Sequence, residues 1–492
     1  MNKLLSKIFA CVVCLSISAI SLHTDLPADI LISANSLPTD IPTDTPIIAN
    51  SVPTGIPTDK PISANSLPTD IPIDITQNAN DYYVSTTGSD RNPGTIDRPW
   101  KSLQYAASHI IAGDTVYIRG GVYQATSSWD VNGTEGSPIT ITNYPGETAI
   151  IDGNHNTIPS AEYGVLLLIK GNWYNVSNLE ISYSGYYGLL TKGNHITLDN
   201  IFCHHSYAAG ITTSGSYTIV QNSKAWYNSI RHEFDVGDQW STGISIMGSD
   251  GAIPQYSIIR HSIAWDNWGQ GIKSALSSNS IVEDNIAYNN MYNYYIREAR
   301  NTLFQRNLSF NTPSNLVGQY VNEVALLIGD EGETFPSRDN TFINNLIAGG
   351  ETYNVSIGSN TFEGGLFANN TIANAIGSYG VRIGRGAYSN ARFENNIVLQ
   401  EGSIPIGINL STGITFGYNN WSKRPPGNMR GTNDIVSNPL LAETGALYTP
   451  DWFKLTSSSP ASDHALYLPE VTEDYWQNLR GNPPDMGAHE YQ

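Results

Sequence analysis

The chain has 492 residues, of which only 14% are charged, and 44 acidic against 25 basic side chains leave a formal charge of −19. That balance argues against nucleic acid or an anionic membrane as a partner, since both favour basic surfaces. An anionic small or polymeric substrate remains compatible, provided the few cations are gathered in one place.

Residues 1–22, MNKLLSKIFACVVCLSISAISL, join two early lysines to an apolar run with small residues near Ala19. The pattern predicts a secretory signal peptide rather than a membrane span, and so a secreted, extracellular protein, with the periplasm as the alternative. Cys11 and Cys14 would leave with the signal, so Cys203 stands alone and no intrachain disulfide is available. Cys203 reads as a buried apolar residue.

Residues 23–80 read as a linker. Within it, ANSLPTDIPTDTPII, ANSVPTGIPTDKPIS and ANSLPTDIPIDI repeat with a period of 15. Prolines every few residues forbid a helix or a central strand, which leaves an extended, solvated spacer. A wall-binding repeat is the functional alternative.

The globular part opens at DYYVSTTGSD. Apolar spacing from Trp100 to Ile111 predicts a helix ended by Gly113, followed by a strand at Thr115–Arg119 and two more in SPITITNYPGETAIIDG. One short helix followed only by strands suggests a cap on a long β structure. A repeat then takes over in HITLDNIFCHH, YTIVQNSKAWYN, YSIIRHSIAWDN, SIVEDNIAYNN, TLFQRNLSFN, TFINNLIAGG, GLFANNTIAN and ARFENNIVLQ. Asn200, Asn222, Asn285, Asn307, Asn345, Asn370 and Asn396 mark one turn position, with His261 filling a gap, at spacings of 22, 39, 24, 22, 38, 25 and 26. Three short strands per 22–26 residues, without heptads, predict an all-β, single-stranded right-handed parallel β-helix over 81–440, with an N-terminal capping helix. The asparagines should bond coil to coil as a side-chain ladder. Residues 441–492 should pack back on the β-helix as an irregular segment.

The opening YYVSTTGSD…NPGT…PWKSLQYAA…AGDTVYIRGGVY…GSPITITNYPGE resembles the start of secreted right-handed β-helix proteins that include the pectate lyases of family nine. The tail RGNPPDMGAHEY resembles the end of such proteins. The resemblance implies the fold; lyases, glycosidases, epimerases and adhesins all use this scaffold.

Two spacings exceed one coil by about 15 residues, and loops that absorb such insertions tend to carry function. The first surplus is SIRHEFDVGDQWST, and the second is split around EVALLIGD. Between the enlarged coils lie GIKSA and YIREA. Period-2 alternation points Ile272 and Ile296 inward and Lys273 and Arg297 outward, and aligning the two segments places both cations in one column about 5 Å apart. Ser245 and Arg382 should share that column. Trp240, Trp268, Tyr294, Tyr295 and Arg300 are the expected substrate-binding residues around this groove. The acids of HEFDVGD and GDEGE read as solvated loop charges, and His204, His205 and His232 lack ligand spacing.

A lysine beside an arginine should lose its proton more readily, and so can serve as a base while the arginine neutralises a carboxylate. That pairing suits removal of the proton α to a uronate carboxyl group, followed by β-elimination. The segment IKSALSSNSIVEDNIAYNNMYNYYIREARN is similar to the active coils of the chondroitinase B and alginate lyase family, which implies Lys273 as base and Arg297 as the neutralising residue. That family carries calcium-binding glutamates before the lysine where this chain has WDNWGQGI, and the Asp-Asp-Gly calcium motif of family-nine pectate lyases is absent. The metal site is therefore unknown and calcium stays open, with Glu233, Asp235 and Asp238 as substitute ligands.

The reading is a monomeric secreted polysaccharide lyase acting on an anionic, uronate-containing polysaccharide. The alternatives are a glycoside hydrolase using acids among Glu298, Glu323, Asp235 and Asp238, a uronate C5 epimerase, and a non-catalytic carbohydrate-binding surface protein.

Overall fold

The computed structural model describes residues 80–154, 164–229, 241–249, 251–311, 324–331, 335–358 and 361–492. The chain winds as a right-handed parallel β-helix with three faces. Two faces make up a 24-stranded parallel assembly and the third an 11-stranded parallel sheet. In the middle coils the first face runs through Ile258–Arg260, Ile281–Glu283 and Leu303–Gln305, and the second through Ile263–Trp265, Ile286–Tyr288 and Leu308–Phe310. The third runs through Thr242–Met247, Gln270–Ser278, Tyr292–Arg300, Val324–Gly329, Tyr353–Gly358 and Tyr379–Ile383.

Alternation fills the interior. Ile211, Ile244, Ile272, Tyr294, Leu326, Val355 and Val381 are successive register partners on the third face, and all are fully buried. On the first face Phe304, Phe342, Phe367 and Phe393 stack with ring centroids 5.1–5.7 Å apart. Each such side chain contributes about 1.5–3 kcal/mol by leaving water. Cys203 is among these buried residues.

The predicted ladder is present, with altered membership. Asn285, Asn307, Asn345, Asn370, Asn396 and Asn419 are buried, and each donates its Nδ2 and backbone N–H to the side-chain oxygen of the next coil. Asn419 ends the series on Asp434, at 2.9 Å from its backbone nitrogen. Asn200, Asn222 and His261 stand one position earlier, at left-handed backbone with φ of 55°, 52° and 49°. Ser223 and Ser262 hold the ladder position in two of those coils and pass the chain of bonds on through Oγ. Both positions tolerate asparagine, one for its amide and one for its ease in left-handed backbone, so adjacent columns look alike in sequence.

A second ladder, not read from the sequence, links Asn228, Asn267, Asn290, Asn293 and Asn311 at the turn into the third face. Glycine makes room for it: a Cβ on Gly271 would lie 2.5 Å from Asn290 Nδ2, and one on Gly243 would lie 2.8 Å from Asn267 Nδ2.

The helix expected over Trp100–Ile111 is a five-residue turn, Leu103–Ala107, with the Ser102 hydroxyl accepting from Tyr105 N–H. Its Leu103, Ala106 and Ala107 join the interior. After Ile435–Val436 the chain is irregular apart from the 3-10 turn Pro450–Phe453, and Leu441, Trp452, Phe453 and Met486 pack against Leu308, Leu346 and Ile397 of the second face.

Candidate active site

Lys273 sits in the third-face strand Gln270–Ser278, and its neighbours Ile272 and Ser274 point into the coil. Its register partners are Ser245 on the preceding coil and Tyr295 on the following one. Arg297 instead faces Ala275 and Gly329. The expected shared column of Lys273 and Arg297 is therefore corrected: they are diagonal neighbours, one coil up and two residues along. The likeness of Ile-Lys to Ile-Arg suggested a step of 24, but the coil is 22 residues long, as the bond from Asn285 to Asn307 requires. Both side chains still leave the same face. Ser245 and Arg382 do share the Lys273 column, which continues through Tyr295, Leu327 and Ser356 to Arg382.

Although it points away from the interior, Lys273 is only 2% exposed. Its Nζ lies 5.7 Å from the centroid of the Tyr295 ring, and the ammonium has no hydrogen bond or ion pair among the described residues. Burial, followed by the Arg297 charge, lowers its pKa from the ordinary 10.5 to about 8, against the opposing pull of Glu331 and Glu298.

Arg297 is held by two carboxylates. Its Nε meets Glu298 Oε2 and its Nη1 meets Glu331 Oε2, each at 3.0 Å. Glu298 reaches its own neighbour because the backbone there is left-handed, with φ of 47°, so consecutive side chains face the same way. Tyr295 completes the cluster by donating its hydroxyl to Glu331 Oε1 at 2.6 Å. Burial and Glu331 both push the Tyr295 phenol up, so it stays protonated.

Other expectations change. Tyr294 lines no groove: alternation sends it into the core, where its hydroxyl donates to the carbonyls of Asn285 and Leu308. Arg300 lies beyond the bend at Glu298, stacked 3.9 Å over Phe335 and bonded to the Pro336 carbonyl, with no bond to Lys273 or Arg297. Trp268 is half-buried in the turn leading into the Lys273 strand. The acids of GDEGE are not solvated loop charges throughout: Glu331 bridges Arg297 and Tyr295, and Asp330 is fully buried, accepting from Ser337, Thr361 and Glu298 N–H. Their signal was positional, since they follow the strand one coil beyond Arg297. Trp240, His232, Glu233, Asp235, Asp238 and Glu323 lie outside the described residues.

Calcium finds no fitting cage among the described residues. No group of three or more His, Cys, Asp or Glu is arranged to hold a metal ion there. The nearby acids are instead engaged with Arg297, Tyr295, Ser337 and Thr361.

Comparison with known proteins agrees on the fold. Residues 82–239 match the family model described as Pel9A-like, right handed beta helix region. The Lys273 site lies beyond that stretch. Pectate lyase PEL9 of Emericella nidulans is 36% identical over 122 residues, covering 23% of this chain and 30% of that protein. The uncharacterized protein YwoF of Bacillus subtilis is 41% identical over 93 residues, 19% of each. The chain thus matches less than a third of the length of either relative. A solved structure, XylC in complex with xylose, superposes with a TM-score of 0.57 at 13% identity, covering 84% of this chain and 98% of that one.

Proposed function

The chain is a right-handed parallel β-helix protein similar over its first coils to pectate lyase, and we propose that it is a polysaccharide lyase secreted to act on a uronate-containing polymer. One observation carries the reading: Lys273 is buried and unpaired among the described residues, with its pKa drawn to about 8. A large part of the side chain is then neutral amine in mildly alkaline solution, which is what abstraction of a proton from carbon requires.

In this mechanism the neutral Nζ of Lys273 removes the proton α to the uronate carboxyl group. The electron pair forms the new double bond as the 4-linked sugar departs. Negative charge building on the carboxylate is stabilised by Arg297, approached from its Nη2 edge, because Nε and Nη1 already serve Glu298 and Glu331. Tyr295, protonated and beside Lys273, is the candidate acid to protonate the leaving oxygen.

The test is the product. Purified protein incubated with pectate, alginate, chondroitin and glucuronan should release unsaturated sugars that absorb in the ultraviolet, and Lys273→Ala should abolish that release. Reducing ends without ultraviolet absorbance would favour a glycoside hydrolase, a reading helped by the two carboxylates on Arg297. Inverted sugars without cleavage would indicate an epimerase.

A further inference from the structure

We propose that Arg382 forms a second carboxylate subsite on the Lys273 face, so that the ligand is a polymer carrying carboxylates on consecutive sugars. The proposal rests on the polyuronate reading above and names the substrate class within it.

Arg382 lies in the column of Lys273, four coils away, or roughly 19 Å at the usual strand spacing. Its guanidinium donates from Nη1 to Ser356 Oγ at 3.0 Å and lies 5.4 Å over the Tyr353 ring. No carboxylate pairs with it among the described residues, unlike Arg297 on the same face, which holds two. Its place in the Lys273 column, rather than the lack of an acid alone, aims it at a ligand on that face.

Glycines shape the space beside it. A Cβ on Gly358 would fall 2.9 Å from Arg382 Nη1, and one on Gly384 would fall 3.2 Å from Gly358 Cα and 3.3 Å from Nη1. Gly329 pairs with Gly358, so a strip without side chains runs from Arg297 towards Arg382. The missing side chains let the guanidinium lie close over the backbone on this face. Tyr353 and Tyr379, stacked at 6.3 Å, stand beside it as an aromatic wall.

The offset decides the polymer. Arg382 is three coils beyond Arg297 and two residues to the side, and one sugar of a 4-linked chain is about as long as one coil is high. A homopolyuronate presents a carboxylate at every step, and one that coils with three sugars per turn brings the first and fourth to the same side, where they meet both arginines. A strictly alternating polymer presents one at every second step, and an odd offset leaves one arginine unmet.

Isothermal titration of the Lys273→Met protein, which cannot turn substrate over, tests this with hexamers of galacturonate and mannuronate, a galacturonate dimer, and a chondroitin hexasaccharide. At least one hexauronate should bind, and Arg382→Gln should weaken it about tenfold or more while leaving the dimer unchanged. Arg382→Lys should recover only part of the loss, and melting curves should show all variants folded. Equal hexamer affinity with and without Arg382, equal dependence for the chondroitin hexasaccharide, or no polyuronate binding would each overturn the proposal. Arg382-dependent binding without unsaturated product in the parent would keep the subsite and sink the lyase reading. Product formation with Arg382-independent binding would do the reverse.

Discussion

The hydroxyl of Tyr295 and one oxygen of Glu331 are 2.6 Å apart, while the other oxygen of the same carboxylate holds Arg297 at 3.0 Å. Glu331 thereby joins the acid and the cation of the cluster, and its charge raises the Lys273 pKa. In the parent protein, activity should rise with pH around a midpoint near 8, as Lys273 loses its proton. Glu331→Gln removes the stabilising charge, so the midpoint should move to lower pH. A profile of kcat/KM against pH for both proteins checks the direction.

Lys273→Met should abolish turnover and stabilise the fold. A buried ammonium costs free energy, so its removal should give a gain on the order of 1–3 kcal/mol near neutral pH. The sign follows from linkage. Folding depresses this pKa from 10.5 to about 8, so the penalty is full below pH 8 and fades as pH rises towards 10.5. Melting temperatures of both proteins across that window should converge at the alkaline end.

Asn345→Ala should destabilise the protein by about 3 kcal/mol. It removes bonds to the carbonyls of Phe304 and Ile343 and to Asn370, and leaves the donors of Asn307 unmet. Asn200→Ala, at a half-buried position with one side-chain bond to Asn178, should cost only about 1 kcal/mol, chiefly because alanine tolerates the left-handed backbone less well. Denaturant melts of the pair separate ladder from surface.

Gly271→Ala should cost about 2–4 kcal/mol, since the added methyl meets Asn290 Nδ2 at 2.5 Å and the Asn293 carbonyl at 2.7 Å. Both contacts are buried, so neither group can yield to solvent. Chemical unfolding measures the loss.

Deleting residues 23–79, which spares Asn80 and its bonds to Asp114 and Thr115, should leave melting temperature and any activity nearly unchanged, because the proline-rich sequence carries no helical or strand period. A large drop in either would show that the repeats dock on the β-helix.

Much of the architecture was legible because interior alternation and coil length both repeat, and the asparagines at Asn285, Asn307, Asn345, Asn370 and Asn396 mark each turn. The site was legible only in part. Lys273 could be singled out by its direction and its place between two enlarged coils, but its burial arises from neighbours on other coils. The register to Tyr295 was obscured by a local likeness that competed with the coil length. Glu331 was missed because its partners belong to the preceding coil, a relation no local pattern encodes.

The ladder from Asn285 to Asn419 also has a consequence for charge. Every Nδ2 points towards the next coil and every Oδ1 back, so the six amide dipoles lie head to tail and add. The solenoid thus has an electrical direction, with its positive pole at the C-terminal end. The Asp434 carboxylate stands at that pole, accepting from Asn419, the Trp421 indole and Gly431 N–H. It does for this stack what an anion does at the start of a helix. A coil inserted with its amide reversed would oppose the field of all the others.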